Sequence, residues 1–219
     1  MNARAWSRTT AASLLAFALL AFPPAARPAR AGEIAIEGLA GSFQMAASNT
    51  GSAVFGSDSG ATFGGALRFT LARGVFVEGG VRTFSKSGER VFVATPSSVV
   101  QKLGFPLSMR LTPIFLDVGY RFRQGRLVVP YLAVGGTLTQ YDQTSNVAGQ
   151  SFDESTSKAG FLAAGGVEIG RGLLRLAAEG GWTTTPNAIG IADVSQVYGE
   201  KDIGGKYVIA KLVLVFPIR

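Results

Sequence analysis

Residues 110–141 read RLTPIFLDVGYRFRQGRLVVPYLAVGGTLTQY. Two alternating stretches, 110–122 and 127–141, flank a compact polar turn at Gln124-Gly125. In the first, Ile114, Leu116, Val118, Tyr120 and Phe122 alternate with Phe115, Asp117, Gly119 and Arg121. A period of two sends successive side chains to opposite faces of a strand, so one face is apolar and the other carries charge. Paired strands around a tight turn make a hairpin. The unit recurs where Arg73-Gly74 joins 61–72 to 75–85, and where Arg171-Gly172 joins 158–170 to 173–183. A first segment at 33–43 and a last at 206–216 bring the strand count to eight. The other connections, 44–60, 86–108, 142–157 and 184–205, are long. Short turns at one end and long loops at the other predict an all-β chain: an eight-stranded antiparallel up-and-down transmembrane β-barrel, with periplasmic turns and extracellular loops.

The first thirty-one residues stand apart. Arg4 and Arg8 precede the apolar run AASLLAFALLAF at 11–22, and Ala29-Arg30-Ala31 places small residues where a signal peptidase reads them. Residues 1–31 therefore read as a secretory signal peptide cleaved before Gly32, leaving 32–219 as the barrel and the outer membrane as its destination. A run of a dozen apolar residues is short of the roughly 20 that a spanning helix needs. The leader holds four of the 21 basic residues and none of the 14 acids, so the remaining chain carries 17 against 14, or +3. That balance, without a basic patch interleaved with stacking aromatics, argues against a nucleic-acid partner.

Alternation sorts the charges onto one face. Arg68, Arg82, Arg121, Arg175 and Lys211 face the same side as Glu37, Glu78, Asp117, Glu168 and Glu179. Their neighbours on that face are largely Gly, Ala and Thr, small enough for a narrow interior. The opposite face is almost free of charge, and its aromatics gather near strand ends. Phe63, Phe161 and Trp182 mark the loop end, and Phe69, Tyr120, Phe122 and Phe216 the turn end. Such girdles sit at the two interfaces of a bilayer. The charged face is therefore the lumen. Buried charges must be paired, and five of each sign permit full pairing within a plugged interior. Pro113 and Pro130 each remove a ladder donor and mark a bulge or strand end, so a register shift is expected near Pro113.

Chemistry-bearing motifs are sparse. The chain has no histidine and no cysteine. That removes Ser-His-acid triads, thiolate nucleophiles, Cys and His zinc sites and disulfides. Asp153-Glu154 is the one candidate carboxylate pair, set in the third long loop. The paired glycines at 64–65, 79–80, 135–136, 165–166 and 180–181 lie inside strands, where glycine serves curvature and close packing rather than phosphate binding. Neither a cofactor nor a metal is expected, and the chain reads as a non-enzyme. Basic residues of the long loops, Lys86, Arg90, Lys102, Arg110, Lys158, Lys201 and Lys206, suit the phosphates of lipopolysaccharide. In the second loop, Val91-Phe92-Val93 and Val99-Val100 suggest strand extension above the membrane or an apolar surface patch. Arg73, Arg123, Arg126, Arg171 and Arg219 make the turn end uniformly basic.

Gly119-Tyr120-Arg121-Phe122 with its turn, Pro130-Tyr131-Leu132-Ala133-Val134-Gly135-Gly136, and Gly160-Phe161 through Glu168 resemble the small outer-membrane β-barrel family of OmpA-, OmpX- and OmpW-like domains. The resemblance spans the chain after the leader and rests on order and spacing more than on any one motif. It implies a barrel lodged in outer-membrane lipid and lipopolysaccharide, delivered by the barrel-assembly machinery. Envelope integrity, surface adhesion or passage of small solutes are the implied roles. Members commonly end on an aromatic residue that signals assembly, whereas here Phe216 is followed by Pro217-Ile218-Arg219. The expected function is a non-enzymatic barrel with a charge-paired, plugged lumen that acts through its extracellular loops. The alternative is a narrow porin or transporter for small or apolar solutes. An unidentified extracellular partner completes the expectation.

Overall fold

The computed structural model describes residues 32–94, 99–147, 149–186 and 192–218. The leader at 1–31 and Arg219 lie outside them. Eight strands follow in order: β1 (Glu33–Met45), β2 (Ser59–Thr70), β3 (Val75–Ala94), β4 (Val99–Arg121), β5 (Val128–Val147), β6 (Gln150–Arg171), β7 (Leu174–Thr184) and β8 (Gly205–Pro217). Each pairs with the next, and β1 with β8 closes the ring. The closing seam is antiparallel and runs from Glu33↔Pro217 to Met45↔Gly205.

Burial follows the period of two. Leu116, Phe161 and Val208 on the outer face are 63%, 72% and 68% exposed, whereas Arg68 and Phe76 inside are 0%. A soluble barrel has the opposite polarity, so the outer belt is built to meet hydrocarbon. The short connections use left-handed backbone where the turn requires it. Arg73 (φ 64°) and Gly74 (φ 91°) turn β2 into β3, with the Leu71 N–H donating to the Val75 carbonyl at 2.7 Å. Between β6 and β7 the turn is Gly172-Leu173, one residue beyond the expected Arg171-Gly172.

Two expected loops are largely strand. β3 and β4 stay paired as far as Ala94↔Val99, and β5 and β6 as far as Val147↔Gln150. Above Leu107↔Ser145, β4 and β5 part, so the two hairpins rise as separate ribbons. The strand-extension reading of Val91-Phe92-Val93 is thus the correct one, with Val91 and Val93 buried and Phe92 exposed. The expected shift at Pro113 is absent: Val81↔Ile114 and Phe84↔Leu111 share one register, and the irregularity lies between Glu89 and Val91. Asp153 and Glu154 are consecutive in β6 and so point to opposite faces, which dissolves the candidate carboxylate pair.

The other two long connections hold short helices, α1 (Ser48–Phe55) and α2 (Ala192–Tyr198). A helix of one to two turns is marginal alone. These two are held by packing Val54 and Val194 against Phe84, Val91, Leu107, Met109, Leu111 and Tyr141 of the barrel mouth.

Candidate functional site

The lumen is stacked in layers. Nearest the turn end, Glu33 accepts from Arg121 Nη1 at 2.9 Å and from Arg175 Nη1 and Nη2 at 3.1 and 3.0 Å. Glu168 gathers three guanidiniums: Arg68 at 2.6 Å, Arg175 at 2.9 Å, and Arg121 through Nη2. Arg68 continues to Glu37 at 3.1 Å. Glu37 lies 3.2 Å from the Lys211 ammonium, which also meets Glu78 at 2.7 Å and Glu179 at 2.6 Å. Tyr131 and Tyr207 then donate to the two oxygens of Glu179 at 2.9 and 3.1 Å. The chain of contacts is continuous from Glu33 to Tyr207. Apart from Glu33 and Arg175 at the turn end, its members are buried almost completely, where an uncompensated charge costs several kcal/mol.

Eight of the ten lumen residues expected from alternation join these pairs: Glu37, Arg68, Glu78, Arg121, Glu168, Arg175, Glu179 and Lys211. The other two are buried on the same face without joining an ion pair. The Arg82 guanidinium sits over aromatic rings, its carbon 3.9 Å from the Tyr207 centroid and 5.0 Å from that of Phe115. Stacking of this kind stabilises a desolvated guanidinium by about 2 kcal/mol. Asp117 keeps one oxygen without a hydrogen-bond partner. Glu33, absent from the expected set, takes its own place in the network, although its parity with Glu37 along β1 signalled the same face.

Alternation also undersold the aromatics inside. Phe76, Phe115, Tyr131 and Tyr207 are all buried, and each ring occupies space that a glycine on an adjacent strand leaves clear. A Cβ on Gly119 would collide with the Phe76 ring, and one on Gly181 with the Tyr207 ring. On Gly80 it would meet Phe115 at 2.6 Å, and on Gly166 Tyr131 at 2.5 Å. The expected close packing at paired glycines thus has a specific content. The signal was available, since Phe76 precedes Glu78 by two residues and Phe115 precedes Asp117 by two.

Above Arg82 the lining turns to threonine, Thr62, Thr139, Thr183 and Thr185, around a cavity of about 20 Å³. That is room for about one water. Beyond it lies the apolar layer under α1 and α2. These helices are tied together by Glu200, whose carboxylate accepts from the N–H and Nδ2 of Asn49, both at 3.0 Å, and from the N–H and Oγ1 of Thr50 at 2.9 and 2.7 Å. α1 has no side-chain cap of its own at Ala47, so a residue about 150 positions away supplies one. Partial burial raises the Glu200 pKa, but the donors of Thr50 and Asn49 outweigh it and hold the carboxyl below its ordinary value of 4.5. A depressed folded-state pKa means that the latch contributes fully above that ordinary value and is lost as pH falls through the lowered one. The protection of the Asn49 and Thr50 amides, taken relative to intrinsic exchange at each pH, is therefore expected to fall as pH is taken below the ordinary carboxyl range, while the lumen amides of β1 stay protected. Equal loss of protection at both places would contradict a local latch.

The expected interfacial aromatics lie on the outer face. Phe63, Phe69, Tyr120, Phe161, Trp182 and Phe216 are all exposed, and Phe122 packs edge-on against Tyr120 at 5.0 Å between centroids just past the end of β4.

Among solved structures, the fold is similar to a major outer membrane protein from Thermus thermophilus, with TM-score 0.61 and 13% identity over 84% of this chain and 99% of that one. It is also similar to the outer membrane protein OprG from Pseudomonas aeruginosa, with TM-score 0.55 and 14% identity over 86% and 98%. Neisserial surface protein A matches with TM-score 0.51 and 11% identity over 87% and 100%. No curated protein sequence matches this chain. The family model of the outer membrane protein beta-barrel domain matches residues 12–172. With its closed ring, apolar exterior and charged lumen, the chain belongs to that family of outer-membrane β-barrels.

Proposed function

We propose that this protein is a non-enzymatic integral outer-membrane barrel with a charge-paired, plugged lumen, oriented with its short turns toward the periplasm. Its role, envelope integrity or contact at the cell surface, is carried by the roofing helices and the two upper ribbons. One observation supports this reading above others: a connected ion-pair layer lies beneath an apolar layer closed by α1 and α2. An eight-stranded barrel leaves little interior beyond its own side chains, and here ions and helices use it. Exposed Arg110 and Lys206 at the loop-end rim are suited to lipopolysaccharide phosphates, and the same reading has the barrel-assembly machinery deliver the chain.

Planar-bilayer recording of folded, inserted protein is expected to show no stepwise conductance. Stable unitary steps would overturn the plug and establish ion passage. The second reading, passage of small apolar solutes, is favoured by the upper layer of the interior, where the buried side chains Phe84, Met109, Leu111 and Tyr141 replace charged groups. Electrically silent protein that admits an apolar naphthalene fluorophore, seen as a blue shift of its emission, would favour that route.

A further inference from the structure

Arg126 and Arg171 of the turn end stand outside the lumen ion pairs. Between the β4–β5 and β6–β7 turns lies an open groove of about 560 Å³, lined by Arg123, Arg126, Arg171, Leu127, Val128 and Pro130. The two turns are held side by side: Val128 pairs with Ile169, and the Gly170 N–H donates to the Leu127 carbonyl at 3.0 Å. No acid occurs in residues 122–128 or 169–174, and the acids at this end of the lumen, Glu33 and Glu168, already hold Arg121 and Arg175. Arg126 and Arg171 are exposed. Beside them, Leu127, Val128, Ile169, Leu173 and Leu174 are exposed too, and they continue without a polar break into the lipid-facing belt.

Positive guanidiniums at one lip and a hydrocarbon-facing slope at the other fit a molecule with a phosphate at one end and acyl chains at the other. We propose that this groove holds the headgroup phosphate of an anionic glycerophospholipid, with its chains laid along the outer belt at Val128, Ile169 and Leu174. Guanidinium forks match phosphate oxygens in pairs, which gives geometric preference as well as attraction. A zwitterionic headgroup carries its own cation and competes poorly for the same forks. The proposal places the turn end at the phospholipid leaflet, as the proposed function does. Binding in detergent reads the groove independently of that orientation.

The test uses protein purified from outer membranes, as the cell processes it, in a neutral detergent. Native mass spectrometry then follows equimolar phosphatidylglycerol and phosphatidylcholine of identical chains. Phosphatidylglycerol is expected to be retained about tenfold over phosphatidylcholine. The Arg126→Gln/Arg171→Gln pair should bring the two lipids to parity, whereas Arg73→Gln, a turn-end arginine outside the groove, should keep the preference. Absence of preference, its survival in the double variant, or equal loss with Arg73→Gln would each overturn the proposal. Displacement of the lipid by inorganic phosphate at equal concentration would also overturn it, since the site would then read the anion alone. Should the double variant fold poorly, a phosphatidylglycerol with a diazirine on its acyl chain tests the wild type. Crosslinks must concentrate at Val128, Ile169 and Leu174, and labelling spread evenly around the belt would count against the groove.

Discussion

Lys211→Met is expected to cost about 3–5 kcal/mol of barrel stability, because it leaves buried Glu78 without a partner and takes the neutralising cation from Glu37 and Glu179. Lys211 is 2% exposed, and its ammonium lies within ion-pair distance of Glu37, Glu78 and Glu179. Methionine preserves most of the stem and its packing, so the change isolates the charge. Urea unfolding of vesicle-inserted protein, read by the gel mobility of folded against heated samples, gives the midpoint shift. Adding Glu78→Gln to the same chain should recover part of the loss, since one stranded carboxylate disappears. A loss below about 1 kcal/mol for the single variant, the scale of an exposed pair, would show that the lumen is wetter than its burial implies. Neutralising Arg82 should cost less: it breaks stacking on Tyr207 and Phe115 but orphans no acid.

Gly181→Ala is the second large effect. The three atoms nearest to its added methyl all belong to the Tyr207 ring and hydroxyl, and the farthest of them is at 2.7 Å. Tyr207 cannot retreat cheaply, because its hydroxyl donates to Glu179 and its face carries Arg82. Overpacking of this kind costs about 1–3 kcal/mol. Combination with Tyr207→Leu should make the alanine nearly silent in the same urea assay, whereas strict additivity of the two changes would place the strain elsewhere.

How much could be read from residues alone differs by region. Within the bilayer the reading was nearly complete, since one apolar face and one charged face give alternation its full contrast. Residues 110–141 alone set the parity of β4 and β5. Above the bilayer that contrast fades. Gln143 and Ser145 are buried beside exposed Asp142 and Thr144, so polar residues stand on both faces and residues 142–147 look like loop. Between Glu89 and Val91 the irregular register switches the inward parity of β3, from even at Arg82 and Phe84 to odd at Val91 and Val93, and no alternation carried up from below announces it. The helices were illegible for another reason. α1 draws its cap from Glu200, and no local pattern reports a partner so remote. In the lumen, parity names the occupants but not their heights or angles. It therefore placed Arg82 and Asp117 correctly on the inner face and wrongly among the pairs.

The closing of the ring has a consequence in time. Arg68 and Glu168 are 100 residues apart, Arg121 and Glu33 are 88, Arg175 and Glu33 are 142, and Lys211 and Glu78 are 133. Neighbouring strands pair part of this charge, Glu37 with Arg68, Glu168 with Arg175 and Glu179 with Lys211, but the three guanidiniums on Glu168 come from β2, β4 and β7, and no hairpin supplies them all. Strand-by-strand insertion would drag bare ions into hydrocarbon, at several kcal/mol each. The Lys211 cluster draws on β1, β3, β7 and β8 and is complete only when β1 meets β8, so the last charges are paired as the ring closes. The order of events is thus written into the spacing of the charges: curl first, enter second.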